Sequence, residues 1–331
     1  MTGHAPSRNE PGRVVAICGG VGGAKLAFGL AETLGDRLTV VVNTGDDFEH
    51  LGLFVSPDVD TVLYTLGGRA DRERGWGRAE ESWNFMSAIA EIGGETWFNL
   101  GDRDLALHVE RTRRLRDGQP LSAVVDHFAR CFGIAARIVP MTDARVETVV
   151  ETAEGEMPFQ RYFVGRRAEP ALERVRFDGA ADAQPSAAAA EAFAAPDLRA
   201  VVICPSNPYL SVDPILAVPG LRLLIERSEA PVVAVSPLIG GAAVKGPTAK
   251  IFRELSISAT ARGVADHYGG LIDGLVIDEA DAADRDTAGV PTLVTRTLMS
   301  LVEDRTRLAG ETLAFADALA AGRLLETGEV Q

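Results

Sequence analysis

Apolar positions along the chain follow two rhythms. Arg13-Val-Val-Ala-Ile-Cys18 is a continuous apolar run ended by glycines, and Leu38-Thr-Val-Val-Val-Asn43 is a second, β-branched run. Between them Leu26, Leu30 and Leu34 recur every fourth residue, the stripe of one helix face, and Gly35 stops it. Strand, glycine-rich turn, helix, strand is a βαβ unit. Strands that are apolar throughout belong to a parallel sheet covered on both faces. The same rhythm returns late in the chain, with strands predicted at 200–204, 231–235, 271–277 and 291–294, then a long helical region at 297–319.

The middle reads differently. Helical spacing marks 60–66, 80–92, 104–115 and 121–132, the last stopped by Gly133, and strands are predicted at 146–152 and 159–164. The Ala-rich stretch 180–195 reads as a surface helix or linker. No fixed-period repeat is present. The pattern predicts an α/β fold, a Rossmann-like doubly wound, mostly parallel sheet, with a large mixed helical insertion. Residues 1–12 form a loose tail, 13–331 one domain, and about 66–195 the inserted helical and irregular subdomain.

Composition narrows the function. Of 331 residues, 33 are Lys or Arg and 47 are Asp or Glu, a net charge of −14, which disfavours a sequence-independent grip on nucleic acid. No apolar run reaches the roughly 20 residues of a membrane span. The first residues are polar, without the apolar core of a signal peptide, and the three cysteines, Cys18, Cys131 and Cys204, are far apart. A cytoplasmic protein with free, mostly buried thiols is expected.

The candidate chemistry sits in loops that follow the strands. Cys18-Gly-Gly-Val-Gly-Gly-Ala-Lys25 joins strand to helix, where backbone N–H groups and the helix N-terminus attract phosphate. Gly20, Val21, Gly22 and Gly23 would cradle it, with Lys25 adding a full charge. The run departs from the dinucleotide fingerprint at Lys25, and from the P-loop in lacking Ser or Thr after that lysine. Asn43-Thr-Gly-Asp-Asp47 ends the second strand, where Asp46 and Asp47 suit a ribose hydroxyl or Mg²⁺. Ser56-Pro-Asp-Val-Asp-Thr61 opens a helix, so its polar residues are N-caps or metal ligands. Gly101-Asp-Arg-Asp104 offers Arg103 as an anion clamp. Ser206 and Asn207 follow one late strand; Gly240, Gly241 and Lys245 follow another. Trp76, Trp83 and Trp97 offer flat rings for a heteroaromatic ligand or fill a core. His108 reads as a partner to surface acids or a packed polar residue rather than a base, the basic run 111–116 as a solvated helix face, and the acidic run 278–286 as a solvated loop.

Taken in order, Gly19-Gly-Val-Gly-Gly-Ala-Lys-Leu26, Val42-Asn-Thr-Gly-Asp-Asp47, Ser56-Pro-Asp-Val-Asp-Thr-Val-Leu-Tyr64, Leu100-Gly-Asp-Arg-Asp104, Pro205-Ser-Asn-Pro208 and Ser236-Pro-Leu-Ile-Gly-Gly241 resemble the 2-phospho-L-lactate transferases of coenzyme F420 biosynthesis over nearly the whole chain. Archaeal-type members usually read Gly-Thr-Gly-Thr-Pro-Lys in the first loop; Gly-Val-Gly-Gly-Ala-Lys here points to a bacterial-type member. The resemblance implies a guanosine diphosphate donor carrying lactate or enolpyruvate, and the deazaflavin Fo as acceptor. A ribityl hydroxyl of Fo attacks, GMP leaves, and Mg²⁺ assists. It places Fo on Asp60 and Arg103, and it implies a homodimer. Beside this, the residues suggest Asn43 and Trp76 at Fo, a catalytic set of Asp60, Asp46 and Arg103, and Mg²⁺ on Asp46, Asp47 and Asp60. The alternative is a sister family, a nucleotide-sugar-binding regulator of carbon metabolism and cell shape without transferase activity. It shares the glycine loop and the Asn-Thr-Gly-Asp-Asp run. The broken fingerprint at Lys25 disfavours a nicotinamide dehydrogenase.

Overall fold

The first apolar run becomes β1 (Arg13–Cys18), buried from its second residue onward. Its alternate side chains feed two cores. Val14, Ala16 and Cys18 enter one apolar cluster, while Val15 and Ile17 enter a second on the opposite face. That division is why an uninterrupted apolar run was needed. The computed structural model describes residues 12–243, 248–255 and 258–322.

α1 (Gly20–Leu34) carries the chain back to β2 (Leu38–Val42). A hairpin of β3 (Phe48–His50) and β4 (Leu53–Val55) leads into α2 (Pro57–Leu66). Then come α3 (Asn84–Glu91), α4 (Asp102–Arg116), α5 (Leu121–Cys131) and β5 (Arg137–Pro140). β6 (Glu147–Thr152), β7 (Gly155–Pro158) and β8 (Leu172–Asp178) form an antiparallel sheet. α6 (Ala187–Phe193) precedes β9 (Leu198–Ile203), followed by α7 (Asp213–Leu216), α8 (Pro219–Glu226) and β10 (Val232–Val235). The hairpin β11 (Leu238–Ile239) and β12 (Ala242–Ala243), α9 (Thr248–Glu254) and α10 (Ala261–Tyr268) lead to β13 (Gly274–Asp278), β14 (Thr292–Thr295) and α11 (Val302–Ala320).

The main sheet has seven strands in the order β14-β13-β10-β9-β1-β2-β5. Every pairing in it is parallel. Strands are added outward from β1 through β2 to β5; the chain then returns and builds the other way from β9. This is the expected doubly wound arrangement, and its switch point lies between β1 and β9. Helices leaving those two strands diverge, which opens a crevice at their C-terminal ends.

Three expectations change. The segment 66–195 contains β5, which pairs with β2 in the main sheet, so the added elements lie on both sides of that strand rather than in one block. Residues 159–164 are not a strand. Arg161–Gly165 is a helical turn, because Phe159 and Tyr162 bury three residues apart, a helical interval. The Ala-rich stretch is no surface helix: Ala183, Ala189, Ala192 and Phe193 are buried in the second core. The predicted tail 1–12 lies outside the described residues except for Gly12. No single described helix is long and apolar enough to cross a membrane.

α11 closes the fold by packing along α1. At their closest approach a Cβ on Gly29 would lie 2.1 Å from the Arg305 carbonyl oxygen, a backbone atom that cannot yield. Gly29→Val is therefore expected to cost about 3 kcal/mol through overpacking, read as a fall in the urea midpoint with unchanged slope. An unshifted midpoint would mean that α11 is not held against α1.

Candidate active site

A cavity of about 770 Å³ opens over the switch point, lined by the loops after β1, β9, β10 and β14, the start of α2 and several aromatic side chains. Its floor is the glycine loop. Gly20 has φ +65°, a conformation that suits glycine. Gly22 and Gly23 serve packing instead. A Cβ would meet the Pro205 carbonyl oxygen at 2.6 Å from Gly22, and Ser206 Oγ at 2.4 Å from Gly23. The loops after β1 and β9 are also tied by hydrogen bonds. Gly19 N–H donates to Ser206 Oγ (3.1 Å), and the Ser206 hydroxyl donates to the Gly19 carbonyl (2.8 Å). Gly20, Val21, Gly22 and Lys25 face the cavity, as do Ser206 and Asn207. Lys25 Nζ also donates to the Met299 carbonyl (2.8 Å).

Carboxylates crowd the same floor. The turn after β2 is closed by Gly45 N–H donating to Asn43 Oδ1 (2.8 Å). Asn43 Nδ2 then donates to Asp58 Oδ2 (3.0 Å), and Gly20 N–H donates to Asp58 Oδ1 (2.8 Å). Asn43 is fully buried and absent from the cavity wall, so it fixes Asp58 rather than a ligand. Asp47 accepts from Ser56 Oγ (2.7 Å). One oxygen on each of Asp46 and Asp47 is buried without a hydrogen bond from the protein. Burial, then the charge on Asp58, pushes the Asp46 carboxyl well above the usual carboxylate range. Burial, and further off the charges of Asp60 and Asp58, does the same to Asp47. Burial raises Asp58 too.

Asp60 has a different environment. It lies on α2 with Tyr64 one turn on, and both face α4, where Asp104, His108 and Arg111 share a stripe. Arg111 is fully buried, against the expectation of a solvated basic face. Its guanidinium grips both oxygens of Asp60: NH1 donates to Oδ2 (3.1 Å) and NH2 to Oδ1. NH1 also lies 3.3 Å from His108 Nδ1. His108 Nε2 lies 3.3 Å from Asp104 Oδ2, and the Tyr64 hydroxyl donates to Asp104 Oδ1. The ligand atoms of Asp60, Asp104 and His108 fall within 4.8 Å of one another, a metal-like grouping. Asp60 therefore groups with these two rather than with Asp46 and Asp47, and the cation its carboxylate already holds is Arg111.

The walls come from the added segments. Trp76, half exposed, and Trp97, Phe98, Phe159 and Phe163 line the cavity. Arg74 lies over the rings of Trp76 (5.2 Å) and Trp83 (4.9 Å). Trp83 itself faces an adjoining pocket with Arg74, Trp76 and Met86. Phe159 and Phe163 were missed because a strand holds residues four apart about 13 Å from each other, whereas a helical turn brings these two into a stack 5.3 Å apart.

Two expected binders point elsewhere. Arg103 is half exposed, pairs with Glu80 (2.7 Å) and does not line the cavity. Gly240 and Gly241 offer their N–H groups to Asp281 (3.0 and 2.7 Å), so the acidic run caps the loop that was expected to hold phosphate. Asp278, in that same run, is buried and accepts from the Thr297 N–H and hydroxyl. Lys245 lies outside the described residues.

A helix N-terminus at a doubly wound switch point, beside buried acids and under an aromatic wall, makes the candidate active site of an α/β enzyme. The chain belongs to the family described as 2-phospho-L-lactate transferase CofD, whose sequence model matches residues 14–294. It is 41% identical to a phosphoenolpyruvate transferase of Kitasatospora aureofaciens, over 94% of this chain and 99% of that one. It is 42% identical to a protein of the same name from Streptomyces coelicolor, over 92% and 98%. A 2-phospho-L-lactate transferase of Methanosarcina mazei is 41% identical, over 82% and 88%. Among solved structures, a upf0052-family protein of Bacillus halodurans superposes with a TM-score of 0.60 at 17% identity, covering 92% of this chain and 99% of that one, a likeness of fold.

The acid cluster has a consequence for stability. A carboxyl raised in the folded state binds its proton there preferentially. Its cost to folding is therefore absent below the unfolded value, about 3.9, and grows as pH rises through the folded value. Without divalent cations, Asp46→Asn is expected to stabilise the protein at pH 7, a gain that vanishes on acidification toward pH 4. Denaturation series at several pH values check this; a destabilised variant at pH 7 would contradict it.

Proposed function

We propose that the protein transfers a three-carbon acid phosphate from a guanosine diphosphate-linked donor to the ribityl hydroxyl of the deazaflavin Fo, releasing GMP. The observation that carries this reading is the single cavity that joins the N-terminus of α1, the buried acids and the aromatic wall. Each part suits one part of the reaction. Phosphoryl transfer needs positioning and neutralised charge more than covalent help. The amides of Val21 and Gly22 and the Lys25 ammonium would receive the diphosphate. Ser206 and Asn207 would hold the nucleotide, and Trp76 and Trp97 would face the deazaflavin ring. Several of the relatives matched over more than nine-tenths of this chain are named for phosphoenolpyruvate, which supports enolpyruvate as the acid.

In the transfer, the Fo hydroxyl oxygen bonds to the phosphorus that bears the acid. The bond from that phosphorus to the bridging oxygen breaks, and the bridging oxygen leaves with GMP. Asp60 would orient the hydroxyl and take its proton. Asp46, which lines the cavity and keeps one buried oxygen without a hydrogen bond, would hold a hard divalent cation together with Asp58; Asp47 has such an oxygen too but is not on the cavity wall. Mg²⁺ held there would neutralise charge building on the phosphate oxygens. Asp60, both of whose oxygens already meet Arg111, stays outside that set and serves the acceptor.

Fo fluorescence titrated with the purified protein, with and without Mg²⁺ and GDP, is expected to show saturable binding strengthened by the other two. Nucleotide-sugar binding with no response from Fo would move the assignment to the regulatory alternative. The homodimer implied by the family resemblance is checked by sedimentation of the same sample.

A further inference from the structure

The residue that decides where Asp60 stands lies outside the cavity wall, on α4. Arg111 has no exposed surface, and its nearest acid is Asp60, 51 residues earlier in the chain. Two parallel N–H donors set both the position and the plane of a carboxylate, which a single point charge cannot do. The fork is itself held. NH1 reaches the Phe54 carbonyl (3.4 Å) and His108 Nδ1 (3.3 Å), while the guanidinium carbon lies 5.9 Å from the Phe128 ring centre. His108 Nε2, on the other side of the ring, lies 3.3 Å from Asp104 Oδ2. Asp104 is anchored in turn by the Tyr64 hydroxyl. The chain of contacts thus runs from Tyr64 through Asp104, His108 and Arg111 back to Asp60 one turn earlier on α2.

We propose that Arg111 is the positioning residue of the transfer, fixing the Asp60 carboxylate so that its remaining lone pairs face the acceptor hydroxyl. This rests on the reading that Asp60 engages that hydroxyl. A carboxylate has about four acceptor directions, and Arg111 uses two, which leaves the substrate a place. Arg111 touches no substrate and acts through Asp60. A misplacement of about 1 Å at such a group is enough to lower turnover about 100-fold.

The test is a double-mutant cycle on the full chain with Fo and the guanosine diphosphate donor. Asp60→Asn and Arg111→Met are each expected to lower kcat by about 100-fold, with KM for both substrates changed by less than about threefold. The double variant is expected to be no slower than the slower single one, because Arg111 has nothing left to position. Losses that multiply would overturn the proposal. If Arg111→Met melts too low to assay, Arg111→Lys decides: it keeps the charge without the fork, and wild-type kcat in that variant would also overturn it. A crystal structure of Arg111→Lys gives a readout independent of turnover. An Asp60 carboxylate unmoved there refutes the positioning role, whereas a wild-type enzyme inactive on this substrate pair counts against the substrate assignment alone.

Discussion

Burying carboxylates at the end of a parallel sheet is costly, and the ways this chain meets that cost organise its open edge. Asp46, Asp58 and Asp60 line one crevice, and Asp47 lies close enough to feel the charges of Asp58 and Asp60. Each has a different partner. Asp58 is met by donors, the Gly20 amide and the Asn43 side chain, so it doubles as a clamp between the glycine loop and the turn after β2. Asp60 is met by a charge, the buried guanidinium of Arg111. Asp46 and Asp47 are met only in part, each with one oxygen left without a donor. An incompletely satisfied acid is a liability for folding and an asset for binding a cation. The clamped acid belongs to the framework, the ion-paired one is held in place by it while still lining the cavity, and the underpaired ones are where a cation gains most.

The framework and the walls have different origins. The floor is made by strand ends and by the starts of α1 and α2, which the doubly wound sheet holds in register over β1, β2 and β9. The walls are made by segments added around β5, which bring Trp76, Trp97, Phe159 and Phe163 over the floor. A sheet of this kind handles phosphate by geometry alone, through amides at a helix start. Recognition of a particular flat acceptor needs side chains that the sheet does not supply. Fold likeness at 17% identity therefore speaks for the floor only, and the family relationship over residues 14–294 speaks for floor and walls together.

The glycine loop illustrates how one sequence feature serves several constraints. Four glycines within five residues look like a phosphate cradle. Only Gly20 among them has a positive φ, while Gly22 and Gly23 are small because the loop after β9 presses on α1. Gly19 is hemmed in by Ser211 and Asp58, each under 3 Å from where a Cβ would stand. Close packing of the two central loops and access for an anion demand the same residue type, so composition by itself does not separate them.

What the sequence determined was local or periodic. The strands around β1, β2, β9, β10, β13 and β14, the helix stripe of α1, and the placing of the glycine loop and Asp46, Asp58 and Asp60 at strand or helix ends follow from patterns spanning a few residues. Tertiary structure decided which face of a helix is inside. Arg111 stands in a basic run that looks solvated, and only the packing of α4 on β4 and α5, with Asp60 of α2 across from it, puts it in the core. Arg103, eight residues earlier, looked like the anion clamp and instead pairs with Glu80 at the surface. The amides of Gly240 and Gly241 face Asp281, about 40 residues away. In each case the choice between solvent, ligand and protein partner is made by groups distant in the chain. A charged side chain's environment is the sum of what lies around it in space, whereas a strand or helix is settled largely by its neighbours in sequence.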